Sequence, residues 1–293
     1  MDRTESIPAI ERPHEQTSEL DGTHSTHPTV TILGYRISNA GLRGDIECAW
    51  NLIGSGSLGS YVVCANPHSL VLTSKDHLFE RALKGATVLL PDGVGVVLAA
   101  RVLGLSIGER VAGYEFFTAL SGRAQGREGL SYFFLGSSEP VLQRIRSRMS
   151  IDFPGIRICG TYAPPFEEEF PEDENSRIIE TINAARPDVL WVGMTAPKQE
   201  KWIYQNRERI NVPLIGAIGA VFDYYAGVKI RPGLVWRRLG LEFLGRFIRE
   251  PIRLWHRNFV STPIFLGWIA WERLKQIGSP KEARPPKGKE RRE

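Results

Sequence analysis

The residues able to do chemistry gather in four short stretches, each at the end of an apolar run. Leu90-Pro91-Asp92-Gly93-Val94-Gly95-Val96 sets a lone carboxylate among apolar residues and flanks it with glycines that permit close approach of another molecule. Such a carboxylate either faces a substrate at the sheet edge or caps the following helix, a common duty of Asp. Cys64-Ala65-Asn66-Pro67-His68 places Asn66 at a strand exit, with Pro67 suited to begin a helix. His68 there is either a base or a surface residue of the first helical turn. Leu135-Gly136-Ser137-Ser138-Glu139-Pro140 is a glycine–serine turn feeding a helix, and the exposed N–H groups near Gly136 and Ser137 suit a diphosphate. Gly193-Met194-Thr195-Ala196-Pro197-Lys198-Gln199-Glu200 opens another helix with polar side chains, Lys198 and Gln199 foremost.

Other chemistries are poorly served. Gly54-Ser55-Gly56-Ser57-Leu58-Gly59 matches G-x-G-x-x-G, but it precedes a strand where a dinucleotide fingerprint must follow one. It reads as a connector, which removes the main support for nicotinamide chemistry. No Asp-x-Asp follows a strand and no His-x-x-x-His occurs, while His14, His24 and His27 fall in the N-terminal leader, so no metal is expected. Phosphate charge is then left to backbone N–H groups and to cations such as Arg110 and Lys198. Glu167-Glu168-Glu169 and Glu172-Asp173-Glu174 read as a solvated acidic loop, and no serine nucleophile elbow is visible. Cys48, Cys64 and Cys159 are far apart, which argues for reduced thiols in a cytosolic compartment, acting as small buried hydrophobes.

The elements that must hold these stretches follow from periodicity. Tyr61–Ala65, Thr87–Leu90, Ser131–Leu135, Ile156–Cys159, Asp188–Val192 and Pro213–Ala217 are near-continuous apolar runs that read as strands. Helical patterns fall between them, over His68–Leu83, Val94–Leu103, Glu139–Met149, Ser176–Ala185 and Lys198–Arg209. The alternation predicts an α/β fold, a largely parallel Rossmann-like sheet with helices on both faces. In such folds ligands sit beyond the carboxyl ends of the strands, where the four loaded stretches lie.

The chain has 293 residues, 42% hydrophobic and 24% charged, enough for a sizeable core and inconsistent with wholesale disorder. Residues 1–28 lack periodicity and any apolar segment of a secretory signal, and are expected to be a disordered leader. The catalytic domain is expected over 29–230, Arg/aromatic C-terminal helices that associate with a membrane over 231–278, and a disordered basic tail over 279–293. Residues 1–230 hold 22 basic and 27 acidic side chains, whereas 231–293 hold 15 and 6, so a mildly acidic body carries a strongly basic tail. That asymmetry points to an anionic partner, nucleic acid or a phospholipid surface. Four of the seven Trp lie in the tail, and Arg246, Arg249, Arg253 and Arg257 recur at helical spacing beside Trp236, Leu239, Phe243, Leu244 and Phe247. Arg/aromatic amphipathic helices of this kind lie in membrane interfaces. The plain structural alternative is a pair of helices packed on the sheet with a solvated Arg face. The apolar window Phe259–Trp271 is too short for a bilayer span and contains Pro263 and Gly267.

Taken in order, VVCANPHSLV, LPDGVGVVLA, ERVAGYEFF, FFLGSS, GMTAPKQEKW and GAIGAVFDYYAGVKIRPGLVWRRLGLEFLGRFIREPIRLWHRN resemble the WecG/TagA/CpsF family of bacterial glycosyltransferases over about residues 30–260. The resemblance implies an inverting, metal-independent enzyme without cofactor. It would move a sugar from a UDP-sugar to a polyprenyl-diphosphate-linked sugar in cell-surface polysaccharide synthesis. It implies a cytoplasmic protein peripheral on the inner face of the membrane, bound to anionic lipid and not to nucleic acid. The family's general base falls on Asp92, its downstream arginine on Arg110 and its PKQE glutamine on Gln199. Asn66 is retained from the family's Thr-x-Asn, but Cys64 replaces the threonine, and His68 stands where many members carry an acid. On this likeness Asn66, Cys64, Arg110, Gly136, Ser137, Lys198 and Gln199 bind substrate, and Arg246, Arg249, Arg253 and Arg257 meet the membrane or the acceptor diphosphate. The competing reading is a catalytically silent adaptor whose tail binds lipid or nucleic acid.

Overall fold

The computed structural model describes residues 27–125, 130–231 and 255–278. The described chain opens with an antiparallel hairpin, β1 (Thr29–Ile32) and β2 (Tyr35–Ser38), followed by α1 (Gly41–Gly54). The connector Ser55–Gly59 then leads into β3 (Ser60–Ala65), so the glycine-rich stretch precedes a strand as its sequence indicates. Next come α2 (Pro67–Leu72), α3 (His77–Lys84), β4 (Val88–Pro91), α4 (Val94–Val102) and α5 (Gly113–Ala124). The second half runs β5 (Ser131–Gly136), α6 (Glu139–Asp152), β6 (Arg157–Tyr162), α7 (Glu172–Ala185), β7 (Val189–Gly193), α8 (Lys198–Asn206), β8 (Leu214–Ala217) and α9 (Val221–Tyr225). A π-helical turn, His256–Ser261, enters α10 (Thr262–Gly278).

The six strands β3 to β8 form one parallel sheet in the order β4-β3-β8-β7-β5-β6. Every residue of β4, β5, β7 and β8 is buried, which is why these strands read as unbroken apolar runs. One core layer joins the sheet to α2, α3, α4, α7, α8 and α10; the other joins it to α1, α5, α6 and α9. In the second layer Trp191 on β7 meets Phe117 and Tyr132 edge-on, at 5.1 and 5.6 Å between ring centroids. The α/β reading with helices on both faces therefore holds.

Three differences have physical causes. The single helix expected over His68–Leu83 is two helices, because Asp76 accepts a hydrogen bond from the Phe79 N–H at 2.9 Å and caps a new start. The β1–β2 hairpin, with four residues per strand, is too short to carry a convincing alternation. The acidic run Glu172-Asp173-Glu174 is the first turn of α7, where negative charge suits the helix N-terminus.

At the C-terminal end, α10 is docked on the α/β body. Phe265 and Ile269 are buried in the core layer shared with α2 and α4, and Ser261 is fully buried. Arg246, Arg249 and Arg253 lie outside the described residues, as does the side chain of Arg257.

Candidate active site

Parallel strands all present their carboxyl ends to one side, and there a cleft of about 630 Å³ opens. Its wall draws on the carboxyl ends of all six strands: Cys64 and Asn66 at β3, Asp92 after β4, Ser137 after β5, Pro164 to Glu167 after β6, Gly193 to Ala196 at β7, and Ala217 to Val221 at β8. The sheet register brings them together. Ala65 pairs with Pro91, which sets Asn66 and Asp92 side by side, and Gly136 pairs with Gly193 at the opposite wall.

Asp92 is half-buried at the lip, its own N–H donating to the Ala65 carbonyl at 2.8 Å. The N-cap of α4 is Gly93, at φ +101°, so Asp92 stands one residue before the cap position weighed for it. The glycines beside it allow α4 to crowd the site: a Cβ at Gly95 would stand 2.5 Å from Pro67 Cγ.

Asn66 is the N-cap of α2. Its Oδ1 accepts from the Ser69 N–H at 3.1 Å, while its own N–H donates to Ser69 Oγ at 2.8 Å, a reciprocal capping box. That leaves Nδ2 as the group with donors to offer a ligand. Cys64 packs behind it, close to Gly113, and burial pushes its thiol well above the usual range, so it sits as a neutral wall atom. His68 is no mere surface residue: it lines the cleft, and Nδ1 lies 2.8 Å from Ser261 Oγ, joining the site to the turn that precedes α10.

The opposite wall carries a tight glycine–serine turn. Gly136 has φ +118° and Ser137 φ +58°, a tight turn that leads through Ser138 into α6. At Gly136 a Cβ would fall 2.6 Å from the Gly193 carbonyl oxygen, so only glycine fits. Ser137 reaches the cleft, whereas Gly136 is buried behind it.

Cations ring the mouth, each already engaged. Lys198 donates to the Glu167 carbonyl and stands 3.6 Å from the Phe170 ring centroid, and burial pulls its ammonium below the usual lysine range. Lys229 pairs with Asp223 at 2.9 Å, and Arg231 pairs with Glu115 while lying over the Tyr114 ring at 4.3 Å. Arg110 does not line the cleft; it stands 3.8 Å from the same Glu115. Sequence reasoning passed over Tyr114, Asp223, Lys229 and Arg231, although all lie in the quoted stretches ERVAGYEFF and FDYYAGVKIRPG. Among the described residues no group of three His, Cys, Asp or Glu side chains converges as metal ligands do.

Gln199 and Glu200 occupy the first turn of α8 and are buried in the cleft wall. Gln199 Nε2 donates to Glu200 Oε1 at 2.8 Å. Desolvation raises the Glu200 carboxyl to about 7. The sequence placed Gln199 in the site; Glu200 carries no sequence signal beyond its place in PKQE.

The arrangement joins a carboxylate at the lip, a tight turn on the opposite wall and a buried glutamine–glutamate pair between them. Residues 30–279 match the family described as glycosyl transferase WecG/TagA/CpsF. A protein of Bacillus spizizenii, named N-acetylglucosaminyldiphosphoundecaprenol N-acetyl-beta-D-mannosaminyltransferase, is 30% identical over 208 residues, 71% of this chain and 77% of its own length. Proteins of the same name from Bacillus subtilis and Staphylococcus aureus are 29% and 24% identical, over 76% and 84% of this chain and 84% and 94% of theirs. With the family match spanning nearly all of the α/β body and α10, this chain belongs to the WecG/TagA/CpsF glycosyltransferases.

Proposed function

We propose that this glycosyltransferase moves a sugar from a UDP-sugar to a polyprenyl-diphosphate-linked sugar, with inversion and without a metal, in the making of a cell-surface polysaccharide. The observation that carries the reading is Asp92, a half-buried carboxylate that lines the sheet-end cleft one residue ahead of the Gly93 N-cap of α4. In the proposed step the acceptor hydroxyl oxygen attacks the anomeric carbon from the face opposite UDP. The new C–O bond forms as the bond to the diphosphate breaks; UDP leaves with that electron pair, and Asp92 takes the hydroxyl proton. Charge developing on the leaving diphosphate is met by the turn at Ser137, held by Gly136 behind it, and by Lys229 and Arg231, with Arg110 behind them, the kind of fixed electrostatic support that dominates such transfers. Gln199 and Asn66 position sugar hydroxyls, Lys198 steadies the loop at the mouth, and Cys64 shapes the wall where relatives carry a hydroxyl.

Acceptor chemistry follows the relatives, whose names specify an N-acetylglucosaminyl diphospho-undecaprenol acceptor and an N-acetylmannosaminyl group transferred. A lipid-anchored acceptor requires the catalyst at a membrane, and we assign this protein to the inner face of the cytoplasmic membrane as a peripheral enzyme. No described helix is long and apolar enough to cross a bilayer. Incubation with a panel of UDP-sugars, UDP-N-acetylmannosamine first, and a short-chain polyprenyl-diphosphate N-acetylglucosamine tests the reading, with product configuration read by NMR. Transfer with inversion, undiminished by EDTA, is expected. Retention, or thermal stabilisation by NAD and not by UDP, would overturn it.

A further inference from the structure

Two hydrogen-bond acceptors are buried in the cleft wall without partners among the described residues: Gln199 Oε1 and Glu200 Oε2. A buried acceptor left unmet forfeits its hydration with nothing in return, so adjacent orphans in a binding cleft mark where a ligand's donor belongs. The glutamine amide has one donor end and one acceptor end. Its donor end is tied to Glu200 Oε1 at 2.8 Å, so its acceptor end is the one left to a ligand. Gly219, across from it in the cleft, keeps the approach clear: a Cβ there would stand 3.4 Å from both amide atoms.

We propose that Glu200 is a positioning residue that fixes the Gln199 amide with Oε1 as the acceptor for one donor group of the transferred sugar, a hydroxyl or an amide N–H. The proposal rests on the glycosyl-transfer reading and names the contact that reads the sugar rather than the nucleotide. Glu200 acts through Gln199 because its carboxyl is buried and its Oε1 is engaged by the Gln199 amide. That contact also explains the choice of residue. Glu200 Oε1 accepts from the Gln199 amide at 2.8 Å, whereas glutamine at 200 can present its own N–H there and let the neighbouring amide turn over.

The test measures KM and kcat for UDP-N-acetylmannosamine, together with Kd for UDP alone, in wild type, Glu200→Gln, Gln199→Ala and the double variant. Glu200→Gln is expected to raise KM for the nucleotide sugar roughly five- to tenfold, the worth of one misdirected hydrogen bond, and to leave Kd for UDP unchanged. Its melting temperature should not fall, since a buried ionisable group is lost. The double variant should be no worse than Gln199→Ala, because both changes remove one contact. An unchanged KM in Glu200→Gln, or additive losses in the double variant, overturns the proposal. A wild type that neither binds nor uses any UDP-sugar overturns the functional reading instead.

Discussion

Asp92 stands at the cleft because the residue after it does the capping. Gly93 adopts φ +101° and starts α4, which leaves the carboxylate outside the helix at the lip of the sheet. If Asp92 accepts the proton, Asp92→Asn preserves shape and removes basicity. Turnover should then fall by about 10²–10⁴, the usual contribution of a placed general base, with the melting temperature unchanged. Near-normal turnover of Asp92→Asn on the true substrate pair would sink the assignment. Single residues were unevenly legible. Asp92, Asn66 and Gln199 could be read because each ends or follows an apolar run, a position visible in one dimension. Glu200 could not, because its interest lies in being buried with one oxygen unmet. Nor could the meeting of Arg231 with Glu115, 116 residues earlier, where it shares one carboxylate with Arg110 only after folding.

The core strands could be read because a parallel sheet covered on both faces demands unbroken apolar runs. Elements that depend on tertiary contact were harder. The β1–β2 hairpin and α1 are held together by a polar clamp, in which His27 Nε2 lies 2.9 Å from Ser38 Oγ and 3.1 Å from Asp45 Oδ1 and Ser38 donates to the same carboxylate. Asp45 is fully buried, so the clamp sits at the root of the hairpin, and His27, assigned by its sequence to a disordered leader, belongs to the folded body. The hydrogen bond to Asp45 raises the His27 imidazole from 6.5 to about 9. The folded protein thus holds a proton that the unfolded chain releases above about 6.5. Stability from this clamp is whole below that pH, declines as pH rises toward 9 and is gone above it. Wild type should therefore lose melting temperature between about pH 6 and about pH 10 by more than His27→Gln does, since glutamine keeps a hydrogen bond without the titrating charge. Parallel pH dependences in the two proteins would remove His27 as the cause.

At the scale of the whole molecule, charge and apolar surface point the same way. The acidic body and the basic stretch after residue 230 were plain in composition, but the docking of α10 was not, because Phe265 and Ile269 look like any other residues of an aromatic-rich helix. With those two buried, deleting 231–293 would strip core packing together with any membrane contact, so loss of binding in that truncation would not isolate the surface. The outer face of α10 isolates it. Trp271, Leu274 and Ile277 are 63%, 61% and 67% exposed at three-residue spacing, and α4, which α10 touches, adds exposed Val94, Leu98 and Val102. Val94 lies two residues beyond Asp92, so this apolar surface begins at the lip of the cleft, where the proposed lipid-borne acceptor would arrive. An apolar face of this kind adsorbs to a bilayer through aromatic and aliphatic burial, with nearby basic side chains adding attraction to anionic lipid. Burying each such side chain contributes about 1.5–3 kcal/mol, so replacing Trp271, Leu274 and Ile277 together by Glu should cut sedimentation with phosphatidylglycerol-containing vesicles at least about tenfold. The melting temperature should hold, since none of the three is in the core, and activity on a water-soluble short-chain acceptor should survive while activity on a long polyprenyl acceptor falls. Sedimentation of the triple variant equal to wild type would show that the membrane contact lies elsewhere on the molecule. Activity lost equally on both acceptors would place the defect in the cleft.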